Sequence, residues 1–199
     1  MHKGRLEAFS DGVLAIVITI MVLELKVPHG TDPGALLALA PVFLSYVLSF
    51  VYVGIYWNNH HHMMQAVHRV DGAVLWANLH LLFWLSLFPF VSGWLGENHF
   101  AGLPVALYGV VLLAAAVAYY ILVVTLRRLH GPETEFARAV GGTAKERLSL
   151  LFYFAAIPLA FVAAWASLAL YVGVAVVWLI PDRRFEKVLL EVEGIDPRP

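Results

Sequence analysis

Arg5-Leu6-Glu7-Ala8-Phe9-Ser10-Asp11-Gly12 opens the first apolar stretch of the chain, and no charged residue follows between Gly12 and Leu23. A carboxylate within a membrane helix costs about 2.5–3.5 kcal/mol at the helix centre and less near its end, so one persists where it faces protein or water. Asp11 therefore marks a membrane helix that is not a plain lipid-facing anchor. Lys3 and Arg5 ahead of the run imitate a secretory leader. Asp11 interrupts its early part, however, and no small-x-small cleavage site precedes Glu24-Leu25-Lys26, so the stretch reads as the first membrane helix.

The composition agrees. Of 199 residues, 61% are hydrophobic and 14% charged, against about 25% charged in a typical soluble domain, and the mean hydropathy is +0.78. No segment is long enough for a separate soluble domain, so 1–181 reads as one membrane domain with 182–199 as a tail. Cysteine is absent, which excludes disulfides, thiolate metal sites and cysteine nucleophiles. The formal net charge of −1 gives no sign of a nucleic-acid partner, and none is expected.

A spanning helix needs about 20 mainly apolar residues, and six segments qualify: about 6–26, 38–58, 71–94, 104–126, 147–165 and 167–181. Pro28 and Pro33 close the first and open a loop. Pro104 starts the fourth, where a missing N–H does no harm. Thr143-Ala144-Lys145-Glu146 reads as a capping box for the fifth, and Pro158 should kink that helix. With the N-terminus inside, all of the 13 Lys and Arg except Lys26 fall on the inner side, as cytoplasmic loops require, and both termini are cytoplasmic. Beyond the sixth helix, Phe185, Val188, Leu189 and Val192 form an amphipathic stripe suited to the membrane surface.

Within the first helix, Ile16, Ile20 and Leu23 fall within about 60° of one another, with Thr19 about 60° to one side of Ile16. Such a line could face lipid or protein, because a helix apolar all round always yields one. Arg5 and Asp11 are six residues apart and cannot pair on one helix. Each needs water or a neighbouring helix. Asn58, Asn59, His60, His61, His62 and His68 near the inner end of helix two, with Trp76, Asn78 and His80 in helix three, lie at the matching depth. Glu24 stands at the outer end, near Lys26. His60-His61-His62 point about 100° apart on a helix and cannot converge on one ion, so no metal or other cofactor is expected.

Arg5-x-x-x-Phe9-Ser10-Asp11 resembles the signature of the potassium channels called transmembrane protein one-seven-five, found in prokaryotes and in lysosomes. Ile16, Thr19, Ile20 and Leu23 continue the likeness, as do Trp57-x-x-His60 and Asn78 with Phe88-Pro89-Phe90. The resemblance implies an all-α membrane protein with six transmembrane helices per chain. Four chains would surround a central pore lined by helix one, since a single copy of the motif makes a homotetramer necessary. It implies a constriction at Ile16, with Ile20 and Leu23 as further layers and Thr19 offering a hydroxyl to the ion path. Arg5, Ser10 and Asp11, with Trp57, His60 and Asn78, would fix helix one against helices two and three, and Glu24 could ring the outer mouth. The implied function is a potassium-permeable channel, not an enzyme, in the inner membrane of a prokaryote, its partners being potassium ions and the lipid bilayer. A ring of isoleucines can close such a pore by dewetting. Two other readings stay open from the residues: a proton leak or proton-coupled transporter using Asp11 and the inner histidines, and a histidine-dependent membrane enzyme.

Overall fold

The computed structural model describes residues 3–131 and 144–179, all of its regular structure helical. The helices are α1 (Lys3–Leu23), α2 (Pro33–Leu37), α3 (Ala40–Gln65), α4 (Gly72–Leu85), α5 (Phe88–Glu97), α6 (Gly102–His130), α7 (Ala144–Leu159) and α8 (Ala164–Leu179). Four stretches are long and apolar enough to cross a membrane: α1, α3, α4 continued by α5, and α6. Helices α7 and α8 have 16 residues each, about 24 Å at 1.5 Å per residue, and α2 is a single short turn of five.

Several boundaries differ from the sequence reading, each for a local reason. Helix α3 runs to Gln65, beyond the expected end of the span near 58, and carries His60, His61 and His62 on its last turns. Its 26 residues make about 39 Å, longer than the roughly 30 Å hydrocarbon core, so the histidines sit where the helix leaves the apolar layer. The third span is broken at Ser86-Leu87, because Pro89 has no N–H to give the Leu85 carbonyl. Pro158 stands in the last turn of α7 and not midway along it. The turn to α8 therefore comes at 160–163, earlier than Trp165-Ala166-Ser167. Ser167, fully buried, donates to the Ala156 carbonyl at 2.8 Å and satisfies one of the orphan acceptors of that helix end. Pro33 starts the short helix α2, with Asp32 accepting from the Ala35 N–H at 3.1 Å. Thr143 of the expected capping box, and the whole 182–199 tail, lie outside the described residues.

The ends of the helices sort by charge. At one end Lys3 donates to the Met64 carbonyl at 3.0 Å, and Arg69 Nη2 to the Leu129 carbonyl at 2.8 Å. His130 Nε2 accepts the His68 backbone N–H at 3.2 Å, while its Nδ1 lies 3.0 Å from the Leu126 carbonyl. At the opposite end Lys26 is paired with Glu97, which holds the lysine pKa above its ordinary value through a hydrogen bond and charge attraction. The first end is hereafter the basic end.

The core is aromatic in the middle. Tyr52 packs on Phe88, Tyr108 and Tyr153 with ring centroids 6.3, 6.5 and 6.4 Å away, and Tyr108 reaches Tyr171 at 6.0 Å. Burying a phenol demands a partner for its hydroxyl. Tyr52 donates to the Tyr171 carbonyl at 2.6 Å, Tyr108 lies 3.0 Å from Ser49 Oγ, and Tyr153 donates to the Tyr52 oxygen at 3.3 Å.

Helix α5 approaches α3 closely enough that only glycine fits at position 96. A Cβ there would lie 2.6 Å from the Val42 Cα, which is backbone and cannot swing away. Gly96→Val should therefore lower stability by about 1–3 kcal/mol, the usual cost of overpacking. Thermal unfolding of the purified protein in detergent checks this; an unchanged melting temperature would mean that the two helices are not in contact there.

Candidate functional site

Helix α1 has two faces. Leu6, Ser10, Leu14, Val17 and Met21 are buried, at spacings that keep them within an arc of about 80°. This stripe packs on α3, α4 and α5. The line Ile16, Ile20, Leu23 lies about 120° round from its centre, and these side chains are 60%, 41% and 77% exposed. Apolar residues thus cover both faces, yet only one is taken up by the fold of the single chain.

The buried face is anchored by a chain of hydrogen bonds. Ser10 Oγ donates to the Leu6 carbonyl at 2.8 Å and accepts from Asn78 Nδ2 at 2.9 Å. Asn78 Oδ1 lies 2.9 Å from His60 Nε2. With the amide nitrogen committed to Ser10, the amide oxygen can only accept, so Nε2 of His60 carries the hydrogen. Ser10, His60 and Asn78 are all buried. Three helices are joined by polar groups that satisfy one another, which is the arrangement that makes a buried polar cluster stabilising and not costly.

A second contact lies at the rim of this cluster. The Trp57 indole N–H donates to Asp11 Oδ1 at 3.0 Å, with both residues exposed. Trp57 stacks on His61, centroids 5.8 Å apart, and His61 exchanges a hydrogen bond with Gln65 at 3.0 Å. The Asp11 carboxylate is thus held by an indole and not by a cation.

Other expected residues stand apart. Arg5 is exposed and, among the described residues, makes no hydrogen bond or ion pair; Phe9 is also exposed. Trp76 is exposed, and His80 accepts from the Trp84 indole at 3.0 Å, so neither joins the Ser10 cluster. Thr19 donates its hydroxyl to the Ala15 carbonyl at 2.8 Å, which leaves its oxygen lone pairs outward on the exposed face. Glu24 is exposed, and the residue near it, Lys26, is paired with Glu97 instead. Among the described residues no three His, Asp or Glu side chains are grouped to hold a metal ion. The family resemblance set Asp11 and Trp57 in one network, and they pair directly; the sequence reading did not foresee the Lys26–Glu97 clasp or the tyrosine core, and only the latter had a signal, in the recurrence of tyrosine within four apolar segments.

Comparison with known proteins gives a consistent result. A family model, the endosomal/lysosomal potassium channel TMEM175, matches residues 5–89. A potassium channel of Chryseobacterium is 53% identical over 191 residues, covering 96% of this chain and 100% of that one. A potassium channel of Streptomyces collinus is 37% identical, over 86% of this chain and 92% of the other. The crystal structure of a lysosomal potassium-selective channel TMEM175 homologue from Chamaesiphon minutus superposes with a TM-score of 0.77 at 31% identity, covering 89% of this chain and 96% of that one.

Replacing Asn78 by leucine keeps the volume, strands the buried His60 Nε2–H and removes the bond that Ser10 Oγ accepts. Asn78→Leu should cost about 1–3 kcal/mol, the penalty of leaving buried polar groups unpaired. Chemical denaturation in mild detergent measures it. A variant as stable as the parent would mean that the cluster does not hold α1.

Proposed function

Because this chain belongs to the TMEM175 family of potassium channels, we propose that it is a potassium-permeable channel whose pore is lined by the exposed face of α1. The family is one of channels, not enzymes. In the proposed assembly four chains, each crossing the membrane six times, bring four copies of α1 around a central axis. The observation that carries this reading is the line of Ile16, Ile20 and Leu23, apolar and uncovered by the chain's own fold, on a helix whose other face is locked.

Symmetry would convert each of those residues into a ring. Ile16 forms the narrowest constriction, and Ile20 and Leu23 form wider layers outward. Side chains of this kind offer water nothing to bond to, so a narrow ring dewets and blocks ions until it widens or becomes polar. The Thr19 oxygens, one turn from Ile16, add acceptors beside the ion path, and Glu24 draws cations to the outer mouth. Ser10, Asn78 and His60 set the angle of α1, with Asp11 and Trp57 at their rim and Arg5 and Phe9 completing the motif. The basic end faces the cytoplasm in a prokaryotic inner membrane, in keeping with the positive-inside rule. No cofactor is involved; potassium is the permeant ion.

A second reading draws support from a relative. The human endosomal/lysosomal proton channel TMEM175 is 37% identical over 86 residues, covering 37% of this chain and 17% of that protein. Proton permeation through the same pore is the corresponding alternative here.

Potassium flux from proteoliposomes tests the proposal. Ile16→Asn should raise it about tenfold, the change expected if wetting the constriction lowers the barrier by about 1.4 kcal/mol. Unchanged flux would remove Ile16 from the pore. A pH gradient applied to the same vesicles separates the alternatives: proton flux abolished by Asp11→Asn, with no potassium flux, would replace the potassium reading.

A further inference from the structure

Helix α1 carries four charged side chains, Lys3, Arg5, Glu7 and Asp11, and they divide unequally between its faces. At 100° per residue, Lys3, Glu7 and Asp11 lie about 140–180° round the helix from Ile16. Lys3 donates to the Met64 carbonyl at 3.0 Å, Asp11 accepts from the Trp57 indole at 3.0 Å, and Glu7 is half-buried. Arg5 alone falls on the other side. Its bearing is about 20° from that of Ile16 and equal to that of Leu23, five full turns away. Arg5 is exposed, and among the described residues no hydrogen bond or ion pair engages it.

The uncovered line of α1 therefore begins at the basic end with a cation. Arg5 lies about 16–17 Å before Ile16 along the helix axis. Phe9, 55% exposed, stands between them within about 20° of the Ile16 bearing. A guanidinium holds five N–H donors and stays charged at every accessible pH. On a helix face that packs against nothing in its own chain, such a group belongs in water and not in hydrocarbon. An apolar line that ends in a bare cation has the profile of a wall running from a dry constriction to a wet mouth.

We propose that Arg5 forms a ring of fixed positive charge at the basic-end mouth of the pore, and that this ring makes the potassium current smaller when ions enter from that end than from the other. The inference rests on the pore reading above and extends it to a residue which that reading leaves without a part in conduction. A ring of like charge lowers the local concentration of cations at the mouth. Its reach depends on ionic strength, about 10 Å in about 0.1 M salt and about 3 Å in about 1 M. The asymmetry therefore fades as salt rises, which a purely steric narrowing would not do. Glu24, of opposite sign, stands beyond the far end of α1. Salt raised on the basic-end side alone thus singles out the Arg5 ring.

Single-channel currents in excised membrane patches, with equal potassium on both sides and voltage of either sign, measure the effect. In about 0.1 M salt, Arg5→Gln should raise the current entering at the basic end about threefold, the change for a potential of about one kT. Arg5→Glu should raise it further, and Arg5→Lys should keep the wild-type value. Glu7→Gln, which alters charge at the same end but off the line, should change it less. An impermeant salt added at the basic end to about 1 M should bring wild type and Arg5→Gln together. Arg5 makes no bond within the chain, so these variants should fold and assemble as the parent does. Wild-type currents in Arg5→Gln at low salt, or an Arg5→Lys variant that behaves like Arg5→Gln, would overturn the ring. Ile16→Asn in the same patches keeps the two readings apart. If it raises the current while Arg5→Gln does nothing, the pore stands and only the ring falls; if it leaves the current unchanged, the pore reading fails and the ring with it.

Discussion

The hydrogen-bond chain from the Leu6 carbonyl through Ser10 and Asn78 to His60 constrains everything else about the first helix. A span that is apolar all round has no preferred rotation in a bilayer, since one face is as greasy as the next. Polar groups set deep among neighbouring helices remove that freedom. Turning α1 by even 60° would strip Ser10 and Asn78 of their partners at a cost of about 1–3 kcal/mol for each buried group left unpaired. The rotation is therefore fixed by a few polar atoms, and the apolar packing of Leu14, Val17 and Met21 follows it.

Once that face is fixed, the opposite one is fixed too. Ile16, Ile20 and Leu23 are presented outward by a helix that cannot roll to hide them, and the Lys26–Glu97 clasp ties down the loop beyond their end. The tyrosine-rich core does the complementary work. Tyr52, Tyr108, Tyr153 and Tyr171 weld α3 to α6, α7 and α8 through rings and through hydroxyls that find carbonyls, the Ser49 hydroxyl or one another. Helix α1 thus leans against a scaffold stiffened from behind. A pore wall of the proposed kind would need that rigidity, because a hydrophobic constriction gates by dewetting.

Much of this arrangement was legible in the residues. The depth match between Ser10 on one helix and His60 and Asn78 on two others follows from antiparallel geometry alone, and the structure brings those three together. The exposed line on α1 could be drawn from 3.6-residue periodicity, although periodicity had no means of saying which face the fold would bury. What stayed hidden depended on partners distant in sequence. Lys26 choosing Glu97 over its neighbour Glu24, and Arg5 standing clear of the cluster, are decided by the tertiary arrangement, not by spacing. Helix ends were misjudged where hydropathy and backbone chemistry disagree. The apolar stretch of the second span stops near residue 58, but the polar run at His60 to His62 carries no helix breaker and the helix continues through it, whereas Pro89 breaks a span that hydropathy leaves whole.

The absence of cysteine from the chain permits a direct test of where the first helix faces. A single thiol introduced by Ile16→Cys, in protein reconstituted with potassium inside the vesicles, should be reached by a small charged thiol reagent from the aqueous phase. Its modification should stop potassium efflux in step with labelling. Efflux that continues unchanged while the introduced thiol reacts only with a membrane-soluble reagent would put this position against lipid and contradict the account.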